Sequence, residues 1–187
     1  MTLFSETLFT PRLKIRRINN GDLPFVVSWS NNKEAHGNYL SPEGMTEQTF
    51  MERLESGVFW TEKNKFFMIE SRDGTPIGTI HYWLRPEREE CAVAQLKIAE
   101  PGQRCKGFGT EAQKYLIINL FERAKVKQVE MYTDVNNMAQ QRCLAKLGFE
   151  LIESLSYEDH QVARLGHLYR LQQSRFQQYP VYHYHYE

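Results

Sequence analysis

A glycine-rich loop between an apolar run and a helical pattern constrains this chain more than any other feature. The loop, residues 100–112, joins the apolar run 92–99 to a helix predicted over 110–122. A strand, a glycine loop and a helix in that order direct several backbone N–H groups at one point, which is a common site for a phosphate. Gly107 and Gly109 allow the backbone to approach an anion closely. The loop therefore predicts a phosphorylated cofactor.

Two better-known glycine loops do not fit this segment. A Walker loop places Gly-Lys-Ser/Thr at the helix start, whereas Lys106 here precedes Gly107 and Phe108 follows it. A dinucleotide fingerprint needs a third glycine, and Ala112 stands at that position. Arg104 and Lys106 add positive charge beside the loop, which also favours a phosphorylated ligand.

A second segment strengthens this interpretation. Residues 128–133 are typical of a buried strand, and a helical pattern over 138–147 follows, ended by Gly148. The pattern Arg-x-x-Gly-x-Gly at 104–109 resembles the acyl-CoA loop of GNAT acetyltransferases. Residues 137–149, NMAQQRCLAKLGF, resemble the second GNAT motif, in which a helix packs beside the pantetheine arm.

The N-terminal part resembles one branch of that family. TPRLKIR at 10–16, followed by Asp22 and Trp29, is similar to the opening strand and first helix of ribosomal-protein N-acetyltransferases. The resemblance covers about residues 10–171. It implies the α/β GNAT acyl-CoA N-acyltransferase fold, which has a mixed, mostly antiparallel sheet flanked by helices, with a splayed parallel strand pair.

Hydrophobic periodicity predicts the strands and helices, and the resemblance implies that they form a single GNAT domain over residues 1–187, with its core at about 10–171. The predicted strands are 13–18, 65–70, 77–84, 91–99, 128–133, 149–156 and 162–171, and the predicted helices are 22–30, 46–56, 110–122 and 138–147. Asp73-Gly74 between two apolar runs predicts a hairpin. An aromatic tail, 172–187, contains Tyr179, Tyr182, Tyr184 and Tyr186. We expect these rings to dock on the parent domain or on a twin subunit.

The resemblance implies that acetyl-CoA is the cosubstrate and that no metal takes part. The pantetheine arm is expected between strands 91–99 and 128–133, with a bulge in the first strand aiming one N–H at the thioester oxygen. The expected cofactor contacts are Leu96, Lys97, Ile98, Arg104, Cys105, Lys106, Gly107, Phe108, Gly109, Thr110, Asn137 and Arg142. Two of them have a structural alternative: Asn137 as the N-cap of its helix, and Arg142 as the cover of an exposed helix face.

The family's acid and base positions are changed in this sequence. The tyrosine that protonates the thiolate in many members falls at Leu144, and the serine of the ribosomal-protein branch falls at Gln140. A strand glutamate used elsewhere as base falls at Ala94. The substitutes on offer are Gln140 as a hydrogen-bond donor to the sulfur, and Asp159 or Glu90 as a base acting through a water. The further candidates are Glu158, Tyr157 and Tyr132. Surface charge or core packing is the structural alternative for each of these side chains.

The missing base bears on the acceptor. An α-amine with a pKa of about 8 is roughly a tenth neutral at pH 7, whereas a lysine at about 10.4 is far less so. The pKa difference of about 2.4 units makes the neutral form of lysine roughly 3.3 kcal/mol more costly to reach than the neutral α-amine. A site without a dedicated base therefore favours the α-amine of a peptide or protein N-terminus as the acceptor.

Four side chains are predicted to line the acceptor site. His36 and Tyr39 lie in the loop after the first helix, and His81 and Trp83 lie near the end of a strand. An aromatic, weakly charged lining favours a peptide N-terminus over a polycation. Two alternatives stay open: an acetyltransferase for a small amine such as an antibiotic, an amino acid or a polyamine, and an acyl-CoA-binding regulatory protein without turnover.

Charge and cysteine usage exclude several other classes. The 187 residues carry 23 basic and 23 acidic side chains, so no basic surface for nucleic acid is indicated. Three cysteines without close spacing argue against a disulfide framework or a zinc site. No apolar run is long enough to span a membrane. We expect a cytoplasmic protein whose partners are acetyl-CoA and an amine, without nucleic acid or membrane, with a homodimer possible.

Overall fold

One eight-stranded sheet forms the centre of the computed structural model, which describes residues 6–183. Its strands are β1 (Thr7–Phe9), β2 (Leu13–Arg17), β3 (Asn64–Ser71), β4 (Pro76–Arg85), β5 (Arg88–Ile98), β6 (Gln128–Asp134), β7 (Glu150–Asp159) and β8 (Val162–Gln172). The strand order is β1-β2-β3-β4-β5-β6-β8-β7, and all neighbours are antiparallel except β5 and β6. The predicted mixed, mostly antiparallel sheet is confirmed.

Helices cover both faces of this sheet. They are α1 (Leu23–Ser30), α2 (Lys33–His36), α3 (Glu47–Ser56), α4 (Phe108–Glu122), α5 (Met138–Lys146) and α6 (Gln173–Gln178). The main core cluster packs Leu116, Leu120 and Leu144 of α4 and α5 against one face. A second cluster, which includes Ile18 and Phe50, packs α1 and α3 against the other. Central strands therefore lose the alternation of buried and exposed residues that one open face would give.

Local signals in the sequence explain several boundaries. Gly74 has a φ of +89° in the β3–β4 turn, so the predicted Asp-Gly hairpin is confirmed. The Asn137 side chain accepts from the Gln140 backbone N–H at 3.1 Å and caps α5. Three short elements were missed from the sequence, namely β1, α2 and α6, because each is too short to show a period.

The aromatic tail packs on its own domain as far as the structure describes it. The Tyr182 hydroxyl donates to the Leu147 carbonyl oxygen at 2.5 Å, and the Tyr179 ring lies against Gly148. The predicted docking on the parent domain is confirmed for these two tyrosines. Tyr184 and Tyr186 lie outside the described residues. No helix within residues 6–183 is both long and apolar enough to cross a membrane.

Candidate functional site

A cavity of about 880 Å³ opens where β5 and β6 part. These strands pair only from Cys91 with Gln128 to Val93 with Glu130. Beyond that point, residues 94–98 and 131–134 line the cavity from its two sides. The predicted splay of the parallel pair is confirmed, and it creates the space that a ligand needs.

The cavity has two ends of different character. The loop end is lined by residues 103–110 without Lys106, and by the start of α5. The aromatic end is lined by residues 36–40, Trp83, Tyr132 and residues 157–160. Leu96, Lys97 and Ile98 of β5 connect the two ends.

The loop end is built around the N-terminus of α4. Gly107 precedes the helix with a φ of +82°, and no side chain caps the first turn. The first backbone N–H groups of a helix have no partner within it, and they carry a partial positive charge. A Cβ on Gly109 would lie 3.0 Å from Leu96 Cδ2, so any larger residue there would push the Leu96 side chain away. This arrangement can bind an anionic group through the backbone.

Arg12 holds the loop from the start of β2. Its Nη1 donates to the Lys106 carbonyl oxygen at 2.8 Å, and its Nε donates to Glu111 Oε1 at 2.8 Å. The guanidinium also lies 4.5 Å from the centre of the Phe108 ring. Burial alone would raise the pKa of the Glu111 carboxyl, but hydrogen bonds from Thr10 and Arg12 lower it overall. The loop is therefore clamped by a segment nearly a hundred residues earlier in the chain.

Of the positively charged side chains expected near the loop, Arg104 lines the cavity formed by the described residues, whereas Lys106 and Arg142 do not. Arg104 Nε donates to the Ile98 carbonyl oxygen at 2.9 Å, and its Nη2 donates to the carbonyl oxygens of Glu34 and Ala35 at 2.7 and 2.9 Å. Arg104 therefore lines the cavity and anchors α2 through Nε and Nη2, while these bonds leave its Nη1 group as a further donor. Within the described chain, exposed Lys106 and Arg142 do not line the cavity.

The remaining predicted cofactor contacts do meet at the cavity. Leu96, Lys97, Ile98, Cys105, Gly107, Phe108, Gly109, Thr110 and Asn137 all line it. The bulge expected beside the cavity is absent from residues 92–98 of β5, because their register with β4 runs unbroken from Gly78–Ile98 to Leu84–Ala92. The irregularity lies at the start of β5, where Leu84 pairs with Ala92 but Arg85 pairs with Arg88, so that residues 89–91 of β5 have no partner in β4. Strand divergence alone, without a bulge, leaves this edge of β5 open.

Gln140 lies in the cavity and is held by a second glutamine. Gln140 Nε2 donates to Gln113 Oε1 at 2.7 Å, and Gln113 Nε2 donates to the Gly109 carbonyl oxygen at 3.0 Å. Gln113 is 1% exposed. Gln113 was missed in the sequence. Its spacing was a usable signal, because it precedes Leu116 by three residues and Leu120 by seven and so lies on the apolar face of α4. The pair connects the loop end to the start of α5.

Three of the four predicted acceptor contacts line the aromatic end: His36, Tyr39 and Trp83. His81 does not line the main cavity formed by the described residues. Its ring stacks on Phe66 at 3.6 Å, its Nε2 lies 2.6 Å from Asn64 Oδ1, and burial lowers its pKa to about 3. His81 lies in a smaller cavity beside the main one, which also contains His36 and Lys97, and its role in the acceptor site stays a prediction.

Glu90 is also placed away from the cavity. It precedes the paired segment of β5, and its carboxylate forms an exposed ion pair with Lys127 at 3.3 Å. The prediction of Glu90 as a base is not supported, because the strands have not yet parted at this position. Glu158 and Asp159, at the end of β7, do line the aromatic end.

Arg164 sits between the two aspartates of the aromatic end. Asp159 Oδ2 accepts from the Ser41 backbone N–H at 2.7 Å and lies 3.3 Å from Arg164 Nε. Asp134 Oδ2 lies 3.5 Å from Arg164 Nη1, and Asp134 Oδ1 accepts from the Asn136 N–H at 2.9 Å. One guanidinium therefore compensates both carboxylates, and sequence reasoning missed it because nothing local marks its position.

The described part of the chain contains no set of side chains that could bind a metal ion. Among residues 6–183, no three His, Cys, Asp or Glu side chains are grouped closely enough to hold a metal ion.

Comparison with known proteins agrees with this geometry. A family model described as the acetyltransferase (GNAT) domain matches residues 12–150. No curated protein matches the chain at the level of sequence. Among solved structures, spermidine N-acetyltransferase from Vibrio cholerae in complex with CoA and spermine superposes with a TM-score of 0.77. It has 19% identity and covers 90% of this chain and 99% of its own.

The structures of RimL and RimJ are similar to this chain to nearly the same extent. RimL, a ribosomal L7/L12 α-N-protein acetyltransferase in complex with CoA, has a TM-score of 0.75 and 12% identity, over 89% of this chain and 98% of its own. RimJ from Mycobacterium smegmatis has a TM-score of 0.74 and 16% identity, over 87% of this chain and 82% of its own. At such identities the similarity establishes the fold and leaves the acceptor open.

Proposed function

This chain belongs to the GNAT acetyltransferase family, and on that premise we propose that it transfers the acetyl group of acetyl-CoA to the α-amine of a peptide or protein N-terminus. The loop end supports the cosubstrate. The unpaired N–H groups at the start of α4 and the missing side chains at Gly107 and Gly109 suit a diphosphate. The open edge of β5 over residues 94–98 suits the amide-rich pantetheine arm.

Gln140 is proposed to donate a hydrogen bond to the thioester sulfur. Its amide is held by Gln113 at 2.7 Å and faces the cavity beside Thr110 and Cys143. An amide N–H can stabilise a departing thiolate, although it cannot give up its proton as a serine or tyrosine hydroxyl does. We infer that the thiolate obtains its proton from water.

We infer the choice of acceptor from the two carboxylates of the aromatic end whose charge is balanced by Arg164. A polyamine needs several free carboxylates, whereas Asp134 and Asp159 share Arg164 and accept from backbone N–H groups. The surrounding wall is aromatic and includes Trp83 and Tyr132. Such a site suits one amine on an otherwise weakly charged chain. An α-amine also enters the reaction readily, because this amine is partly neutral at pH 7 before any base acts on it.

Thiol release from acetyl-CoA with a panel of amines tests the proposal. The panel contains a peptide with a free N-terminus, the same peptide with a blocked N-terminus, lysine and spermidine. We expect the free peptide to support release and the blocked peptide to support almost none. Faster release with spermidine would contradict the acceptor and leave the acetyltransferase. Binding of acetyl-CoA without release to any amine would instead indicate a regulatory protein without turnover.

A further inference from the structure

A partly buried lysine, Lys97, lines the cavity at the point where its two ends meet. The Lys97 side chain is 12% exposed, and its Nζ lies 3.6 Å from Glu43 Oε1 and 3.4 Å from His36 Nε2. The residue lines the main cavity and also a smaller one of about 140 Å³ beside it. An amine placed between a carboxylate and an imidazole in an open cavity is positioned for proton transfer.

The orientation of His36 makes it an acceptor for Lys97. His36 Nδ1 lies 3.0 Å from the Asn32 carbonyl oxygen, which can only accept a hydrogen bond. Nδ1 therefore carries the ring proton, and Nε2 presents a lone pair to Lys97. Burial, with Lys97 as a further contributor, lowers the pKa of His36 below its usual value, so the ring is neutral near pH 7.

Two features of the surroundings of Lys97 change its pKa in opposite directions. Burial lowers the pKa of Lys97, and the carboxylate of Glu43 opposes that effect. The titratable and charged groups that line the smaller cavity with it are His36, Glu43, Arg53, His81, Asp159 and His160. His160 Nε2 lies 3.9 Å from Glu43 Oε1 and is 44% exposed, so it connects this cluster to solvent.

We propose that Lys97 is the general base of the transfer, with Glu43 and His36 holding its amine toward the acceptor. This inference rests on the proposed function. As the acceptor nitrogen bonds to the thioester carbonyl carbon and the C–S bond breaks, the proton leaving that nitrogen moves to Lys97 Nζ. The resulting ammonium is stabilised by Glu43 and returns the proton to solvent past His160, while the CoA thiolate takes a proton from water.

Lys65 provides a matched control. It is 1% exposed, and burial likewise lowers its pKa. Its Nζ, however, donates to the Thr61 carbonyl oxygen at 2.7 Å and lies 4.7 Å from the Trp60 ring centre. Within the described chain, Lys65 does not line either cavity. Replacing it removes a buried amine without touching the site.

The decisive experiment is the pH dependence of kcat at saturating acetyl-CoA and peptide. We expect Lys97→Met and Lys97→Arg to lose about 100-fold or more in kcat, because neither side chain can take up a proton. The KM for acetyl-CoA should change by less than about twofold, since this cost falls on chemistry rather than binding. Lys65→Met should lower stability and leave the profile in place.

Glu43→Gln separates a base from a structural lysine. It removes the charge that raises the pKa of Lys97, so the acidic limb of the profile should move to lower pH. Replacing the acceptor by an amine of different pKa should leave this limb where it is. A Lys97→Met enzyme that keeps kcat within about threefold, or that loses kcat while keeping the wild-type limb, would overturn the proposal.

Competitive labelling of lysines with acetic anhydride tests Lys97 without any acceptor. Peptide mass spectrometry after labelling over a range of pH gives the titration of each lysine. We expect Lys97 to react at lower pH than the exposed lysines, and acetyl-CoA to protect it. Titration together with the exposed lysines would contradict the proposal. The labelling needs no acceptor, so it tests Lys97 even if no amine supports thiol release. A failure of the proposed function can then be distinguished from a failure of the proposal that Lys97 is the base.

Discussion

The loop end and the aromatic end of the cavity are built in different ways. The loop end comes from one continuous segment around Gly107 and Gly109, and its functional groups are backbone N–H groups. The aromatic end depends on side chains that are distant in sequence, such as Ser41 and Asp159, which are 118 positions apart. The first end should therefore tolerate most side-chain changes, whereas single side chains should decide what the second end accepts.

Closing the loop end should have the largest effect. Gly107→Val puts a β-branched residue at a φ of +82°, where its Cβ would lie 3.2 Å from Arg12 Nη2. We expect the Kd of acetyl-CoA, measured by calorimetry, to rise about 100-fold, equivalent to about 2.7 kcal/mol. Gly74→Val is the control, because Gly74 has a φ of +89° with nothing near its Cβ position. It should cost similar stability and leave binding unchanged; equal losses of binding would contradict the role of the loop.

One side chain of the loop end, Gln140, should affect the chemical step and not the binding of acetyl-CoA. Gln140→Ala removes the proposed donor to the sulfur and leaves Gln113 in place on α4. We expect kcat to fall about tenfold, the cost of one hydrogen bond of about 1.4 kcal/mol, with the Kd of acetyl-CoA unchanged. Stopped-flow measurement of thiol release at saturation checks this value. A loss of binding equal to the loss of kcat would instead make Gln140 a residue that binds acetyl-CoA, without a role in the chemical step.

Removing the compensation at the aromatic end should change acceptor preference. Arg164→Met leaves Asp134 and Asp159 without their shared cation. We expect the ratio of kcat/KM for spermidine to that for a free peptide to rise several-fold, up to about tenfold. Arg164→Lys keeps a cation and serves as the control. An unchanged ratio in both variants would mean that these aspartates do not sense the acceptor.

The smallest expected effect is a pH dependence of stability at the loop end. The folded pKa of Glu111 lies below its unfolded value, so its charged form contributes stability above the unfolded pKa of about 4.3. That contribution is lost as pH falls through the folded pKa. Wild type should therefore exceed Glu111→Gln at pH 7 by about 1 kcal/mol or less and lose this advantage below pH 4. Urea unfolding at both pH values measures the difference, and a constant difference would contradict the ion pair.

The contrast between the continuous loop end and the aromatic end, which is assembled from distant side chains, explains which parts of the site could be predicted from the sequence. The loop end was predictable because a strand, two glycines and a helix follow one another along the chain, and the cap at Asn137 is equally local. The direction of Arg104 was not, because its acceptors include Glu34 and Ala35, about seventy positions away.

The aromatic end was only partly predictable. His36 and Trp83 were identified from residue type and position, whereas the stacking of His81 on Phe66, outside the main cavity, depends on the pairing of β3 with β4 and has no local signal. Arg164 and Glu43 have no motif around them, and only the sheet topology brings them to the cavity. Side chains assembled by tertiary contacts leave little trace in local sequence patterns.

The position of the acetyl group on a product peptide tests the central claim most directly. A peptide with a free N-terminus and one internal lysine, incubated with acetyl-CoA and the protein, would be sequenced by tandem mass spectrometry. The account predicts an acetyl group on the α-amine and an unmodified lysine at pH 7. Acetylation of the lysine side chain, or of spermidine in preference to the peptide, would contradict it.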